Sequence, residues 1–506
     1  MCFFESQIFS VICDPNHLTL TMHKLLFILV FCGLFACQSK TQQATDPAIS
    51  PNAERFYDQH PAYRASGLET RRFKLEDIEP VIKALPEPFK VKLAGKSFQD
   101  RNIYQVSIGT GPVKVLMWSQ MHGDESTATM ALMDLFQFLQ KKDEFDSLRQ
   151  DLLSKLTLHF IPMLNPDGAN RFTRRNMQGI DINRDAMRLQ TPEGRILKRV
   201  RDETKADWGF NLHDQNIYLG AGVGPYPASI SVLAPAYNYE KQINETRGDA
   251  MRLIGVMNQL LQRHIAKQVG RYDDAFEPRA FGDNIQKWGT RTILIESGGL
   301  QGDPENQMLR RLNFSIFLTA LEAVANGRHK EWDYSAYEGL PENQPSGMQD
   351  LIVRKIQVTR TDKTYKVDLA FRREEVNYDN SRKFFYRSNI SEMGDLQNTY
   401  GYEEVELDGY QAVPGSIRPG VISWQEAQKL DHMALLREGI TDVQVSTWPE
   451  SLELSKLPVL LIRPKSNPAS PGNSGLINLG SGGSILLQKD GKTEYAVVNG
   501  FLHKVL

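Results

Sequence analysis

The 506-residue sequence holds four cysteines, Cys2, Cys13, Cys32 and Cys37, and has none after position 37. The long remainder therefore has neither a disulfide framework nor a thiolate-built metal site. Charge of one sign is not in excess: 59 Lys and Arg stand against 61 Asp and Glu, leaving no basic footprint for nucleic acid and no acidic tail. No nucleic-acid partner is expected. There is no internal repeat, which excludes a solenoid or propeller. A His-Glu-x-x-His helix, one common zinc-protease design, is missing as well.

What is present at the amino end reads as a lipoprotein export signal, with a plain secretory peptide or an amino-terminal anchor as the alternative. Met22-His23-Lys24 precedes an apolar run from Leu25 to Phe31 that is too short to span a bilayer, and Met22 is a candidate true start. Leu34-Phe35-Ala36-Cys37 resembles a bacterial lipoprotein cleavage box, with Phe35 bulkier than usual. Cleavage would leave Cys37 as a lipidated amino terminus and place the protein in the bacterial cell envelope, periplasmic or on the outer surface. The polar stretch from Gln38 to Asn52, with Pro47 and Pro51, reads as a tether.

Beyond residue 72 the chain divides. From Phe73 to Asn326 short apolar runs alternate with amphipathic stretches, the pattern of an α/β domain. Strands are expected at Val113–Ser119, Leu156–Leu164, Asp207–Leu212 and Arg291–Ile295. Helices are expected at Ser126–Gln140 and Glu305–Val324. Residues 327–350, rich in charge, Pro and Gly, read as a linker. Residues 351–506 read as a smaller, mainly β accessory domain. Its expected strands are Leu351–Thr359, Tyr365–Phe371 and Val459–Ile462, with a hairpin joining Ser484–Gln488 to Glu494–Val498 and one helical stretch near Trp424–Arg437.

The chemistry-bearing residues sit at strand ends, where open α/β sheets hold ligands. His122-Gly123-Asp124-Glu125 follows the first strand, Asn165-Pro166-Asp167-Gly168 the second and His213 the third; Glu296 ends the fourth. Arg174-Arg175-Asn176 and Gly179-Ile180-Asp181-Ile182-Asn183-Arg184-Asp185 lie between. A catalytic zinc needs three protein ligands and one open position, and two histidines with a carboxylate are a common set. His122, Glu125 and His213 supply it. Glu296, directly after Thr-Ile-Leu-Ile, would end a buried strand at high cost unless it faced a cleft or met a partner.

These motifs, in this order, resemble the zinc carboxypeptidase family over about half the chain. The resemblance implies a mixed eight-stranded sheet flanked by helices and one zinc ion per chain held by His122, Glu125 and His213. It also implies that a zinc-bound water acts as nucleophile, with Glu296 as general base and acid. It assigns Arg174 or Arg175 to the oxyanion, with Arg175 favoured by its Arg-Asn step, and Asn183 and Arg184 to the terminal carboxylate of a peptide substrate. It points to Tyr272 as a substrate-capping tyrosine. Asp185 departs from the family's usual residue there. The Asn-Pro-Asp-Gly turn reads as scaffold in which Asp167 orients a ligand. Asp283, in the stretch that sets side-chain selectivity, reads either as a contact for a basic residue or as an exposed loop acid.

Three functions fit this sequence. The leading one is a zinc metallocarboxypeptidase acting on peptides with a free carboxyl end. A second is an amidohydrolase on the same scaffold, deacylating N-acyl amino acids or cleaving murein peptides. A third is a non-catalytic surface lipoprotein that binds peptides or glycans.

Overall fold

The computed structural model describes residues 47–345, 347–446, 461–464 and 476–506, with side chains omitted for 461–464. The leader, the cleavage box at Cys37 and the tether as far as Asp46 lie outside the described residues, as does Val459. Pro51 and Asn52, read as tether, instead open a helix, Pro51–Gln59. Ser50 caps it by accepting the Asn52 N–H, and proline occupies the first turn, where its missing donor costs nothing. Ala53 and Phe56 then bury against the main core.

The α/β part contains nine strands: β1 (Lys90–Lys96), β2 (Asn102–Ile108), β3 (Val113–Ser119), β4 (Leu156–Ile161), β5 (Trp208–Asp214), β6 (Gly220–Ala221), β7 (Ile230–Leu233), β8 (Val269–Arg271) and β9 (Arg291–Ser297). Eight form one mixed sheet in the order β1-β2-β4-β3-β5-β9-β7-β8. The central β4-β3-β5-β9 pairings are parallel. Parallel strands must be covered on both faces, and β3, β5 and β9 are accordingly buried along nearly their whole length.

Alternation along β3 divides the core between the two faces. Val115 and Met117 join helices Thr127–Gln140, Glu245–His264 and Gln307–Ala325. Leu116 and Trp118 join Ile182, helix Pro192–Thr204 and helix Phe281–Lys287. On the first face Arg310 and Asp134, both without exposed surface, form a buried ion pair. His60 Nε2 lies 2.8 Å from the same carboxylate, and the Arg310 guanidinium also donates to the carbonyls of Ala65 and Leu68. Such a pair is tenable in the interior because its remaining hydrogen-bonding capacity is met.

Residues 327–350 carry short helical turns, and Asn343–Gln344 pairs antiparallel with β6. A second eight-stranded sheet follows. Its order runs from Lys383–Gly394 through Lys363–Tyr378, Met348–Arg360, Gln411–Pro414, Ile485–Lys489 and Lys492–Val498 to Phe501–Lys504, with Tyr400–Glu406 also paired to Met348–Arg360. The last hairpin matches the sequence expectation. The stretch near Trp424–Arg437 forms two short helices, Trp424–Ala427 and His432–Arg437, the second begun afresh by Asp431 as cap. Among the described residues no helix is long and apolar enough to cross a membrane.

Candidate metal centre and active site

The site grows from the carboxyl ends of β3, β5 and β9. After β3 the chain turns through Gln120 at φ 48° and presses Gly123 onto the Asn165–Gly168 turn. A Cβ added to Gly123 would lie 2.0 Å from the Gly168 carbonyl carbon, so this approach requires glycine. The turn is held in return: Leu164 and Asn165 donate their N–H groups to the carbonyls of Ser119 and Gln120. His122 and Glu125 are thereby delivered to one spot. On the neighbouring parallel strands His213 of β5 and Glu296 of β9 are register partners, so both side chains leave the same face of the sheet.

The three expected ligands converge. His122 Nδ1 lies 2.8 Å from one Glu125 carboxylate oxygen, and His213 Nδ1 lies 2.6 Å from the other. The two Nδ1 atoms are 3.1 Å apart, and among the described residues this trio is the group able to hold a metal ion. Their chemistry suits zinc: two imidazoles and a carboxylate, all buried. His122 Nε2 lies 2.9 Å from Asp181 Oδ1. If Nε2 carries the proton and donates it there, the Nδ1 lone pair is left for an ion. His213 Nε2 is buried without a hydrogen-bond partner among the described residues.

The surroundings are rich in negative charge. Burial opposes a charge on His122, but the Glu125 and Asp181 carboxylates outweigh it and push this imidazole up to about 9. Burial also works against Glu125, yet the two histidines hold it well below the usual carboxylate range. Burial first, then Glu125, raises Asp214 to about 7. Burial, with the Glu125 and Asp214 charges added, lifts Glu296 well above its ordinary value, while Arg174 opposes the shift. The whole set favours a bound positive charge.

Of the two arginines, Arg174 reaches this centre and Arg175 does not. Arg174 Nη1 is 3.1 Å from both Glu125 and His122 Nδ1, and its Nε and Nη2 donate to Asp181 at 3.1 and 3.0 Å. Arg175 turns away to donate to the Gly179 carbonyl. The sequence preference for Arg175 is therefore reversed here, since adjacent loop residues point in different directions and identity alone does not say which faces in.

Asn183, Arg184 and Tyr272 line the same cavity, which encloses about 1310 Å³. The Asn183 side-chain oxygen accepts the Phe281 N–H, leaving its amide N–H₂ as the donor face. Arg184 Nε sits 3.4 Å from Glu277. The Glu296 charge, more than burial, pushes the Tyr272 hydroxyl up to about 12. Asp283 is half-buried in the cavity wall rather than exposed, and burial raises it to about 7.

Two expectations change role. Asp167 orients no ligand; it accepts from Ser97, Gln99 and Arg101 and so pins the β1–β2 turn. Asp185 caps the loop before helix Pro192–Thr204 by accepting from Gln190 and Thr191. The ligand-orienting partner is Asp181, a residue to which the sequence reading gave no task. It stands in the Gly-Ile-Asp-Ile-Asn-Arg run, and only the fold shows it bending back to His122. Asp214, directly after His213, accepts from the Thr127 N–H and hydroxyl and anchors the start of helix Thr127–Gln140.

Residues 76–205 match the profile of the zinc carboxypeptidase family. The chain is 31% identical over 215 residues to carboxypeptidase D of Drosophila melanogaster, covering 35% of this chain and 15% of that protein. It is 34% identical over 86 residues to carboxypeptidase SOL1 of Arabidopsis thaliana, covering 17% of this chain and 18% of the relative. A metallo-carboxypeptidase structure from Burkholderia cenocepacia aligns over 51% of this chain and 71% of its own, with 19% identity and a TM-score of 0.42. Over residues 76–205 the chain is thus similar to the zinc carboxypeptidase family. It spans less than a fifth of the length of either of these two curated relatives.

Replacing Asp181 by Ala should lower zinc affinity about 10–100-fold, measured by competition with a chromophoric chelator. An affinity within twofold of the wild type would remove Asp181 from the ligand shell's support.

Proposed function

We propose that this protein is a zinc metallocarboxypeptidase that hydrolyses peptide bonds next to a free carboxyl terminus. The observation that carries the reading is the meeting of His122, Glu125 and His213 with Glu296 in one cavity that also holds Asn183 and Arg184. A bound zinc ion would polarise the scissile carbonyl and lower the pKa of a water toward about 7. The rest falls to the protein. The planar fork of Arg184 and the Asn183 amide hold the substrate's terminal carboxylate, which sets the scissile carbonyl over the metal ligands. Tyr272 closes over the bound residue. Glu296 takes the proton of the attacking water and passes it to the amine nitrogen as the carbon–nitrogen bond breaks. Arg174 faces the oxygen on which negative charge develops.

Export and attachment through a lipidated Cys37, in the periplasm or on the outer surface, are part of the same proposal and rest on the sequence of the leader. Peptides outside the cytoplasm are then the substrates.

The Glu296→Gln variant should retain one zinc per chain and lose about 10²–10⁴-fold in kcat on peptides. Arg174→Ala should lose about 10²–10³-fold. Steady-state assays of peptides beside N-acyl amino acids test the class, since turnover of acylated amino acids alone would replace the peptidase with an amidohydrolase.

Asp283 stands in the wall lined by Arg184 and supports a preference for a basic terminal side chain. Its carboxyl is raised to about 7, so its charge appears as pH climbs through that value. The kcat/KM ratio of Lys-ending over Leu-ending peptides should therefore rise up to about tenfold between pH 6 and pH 8. In Asp283→Asn the ratio should stay flat. A flat ratio in the wild type would remove Asp283 from substrate selection.

A further inference from the structure

The cavity has two walls of different origin. Asn183 and Arg184 come from the side of the sheet where Leu116 and Trp118 pack against Ile182 and Phe281. The opposite wall comes from the second sheet, which meets the first domain on the other face. There Glu375 is ion-paired with Arg71 and Arg72. Arg71 accepts from the Ser126 hydroxyl at the start of helix Thr127–Gln140 and donates its N–H to Glu305, just before helix Gln307–Ala325. The Arg72 guanidinium is sandwiched between Phe172 at 3.9 Å and Phe384 at 4.4 Å.

The second sheet is also fastened to the loops that leave the metal-site strands. Tyr402 donates its hydroxyl to the Ile217 carbonyl, four residues past His213, and its own carbonyl accepts from Gln301. A Cβ on Gly299, three residues past Glu296, would lie 2.0 Å from the Tyr402 oxygen, so this contact exists only because glycine stands there. The Tyr218 hydroxyl donates to Asp350 at 2.6 Å.

Asp350, Glu375 and Arg373 find partners within the protein, while the exposed Glu403 also lines this wall. Asp350 accepts from Tyr218 and from the Arg373 N–H, and Glu375 is held by the two arginines. Arg373 donates Nε and Nη2 to the Gly500 carbonyl and lies 3.6 Å over the Phe501 ring. Tyr386 packs edge-on to Phe501 with centroids 5.6 Å apart. Tyr386, Arg373 and Phe501 are half-buried and line the cavity. What they offer is ring and guanidinium surface.

We propose that the second sheet is part of the substrate site, and that Arg373, Tyr386 and Phe501 form a platform for apolar or aromatic side chains on the amino side of the scissile bond. This rests on the peptidase reading, which puts the terminal carboxylate at Asn183 and Arg184 and the scissile carbonyl at the metal ligands. The rest of the peptide then leads toward the opposite wall.

Two pentapeptides that differ only by Phe or Gly upstream of the scissile dipeptide test it. The wild type should show a higher kcat/KM for the Phe peptide, and Tyr386→Ala with Phe501→Ala should reduce that preference about tenfold. Tyr386→Phe and Phe501→Leu, which retain apolar surface, should preserve it within about twofold. Should the double variant not fold, as judged by its Tm, the single Phe501→Ala variant is read by the same ratio. A preference absent in the wild type, or unchanged in a folded alanine variant, overturns the platform alone. A zinc-loaded wild type that cleaves neither peptide, nor any other, overturns the peptidase reading and the platform with it.

Discussion

The crowding of Glu125, Asp181, Asp214 and Glu296 around two imidazoles, at the carboxyl ends of the parallel central strands of a mixed sheet, is the constraint on which the rest of the structure depends. Carboxylates in such surroundings are expensive unless a positive charge meets them. Arg174 answers part of that demand, and His122, pushed up toward a protonated state, answers more. A divalent cation between the two Nδ1 atoms and the Glu125 carboxylate would answer it most directly. The scaffolding follows from that need: the Gly123 contact that turns His122 inward, the Asp181 bond that orients its ring, and the register of β5 and β9 that sets Glu296 beside His213.

Much of this could be read from the sequence because strand-end chemistry leaves a linear trace. β3 runs from Val113 to Ser119 as expected, and His122 and Glu125 follow at once. His213 and Glu296 each sit one step past an apolar run, although both strands extend two residues further than the apolar pattern suggests. The mixed eight-stranded sheet follows the family resemblance. Loop conformation left a weaker trace. Arg174 and Arg175 are chemically alike, and only the path from Thr173 to Gly179 decides which one enters the cavity. Asp167 looked like a ligand support and Asp181 carried no assignment, and the partners of both are set by tertiary approach across many residues of separation.

The second sheet was legible as β structure but silent about its place. Its alternating strands and the hairpin between Ile485–Lys489 and Lys492–Val498 announce themselves through periodicity and turn residues. That Asp350, Arg373, Tyr386 and Phe501 should line the same cavity as His122 depends on ion pairs from Arg71 and Arg72 to Glu375, more than 300 residues away along the chain. Pairs of that range carry no local pattern. They nonetheless give the cavity two walls of different origin, one carrying Asn183 and Arg184 and one carrying the Tyr386 and Phe501 rings.

X-ray absorption at the zinc edge, on protein reconstituted with one equivalent of zinc, tests the central claim most directly. The account predicts two imidazole nitrogens at about 2.0–2.1 Å with the remaining positions filled by oxygen, and loss of one imidazole in His213→Gln. A zinc signal without imidazole scattering, or one that His213→Gln leaves unchanged, would contradict it.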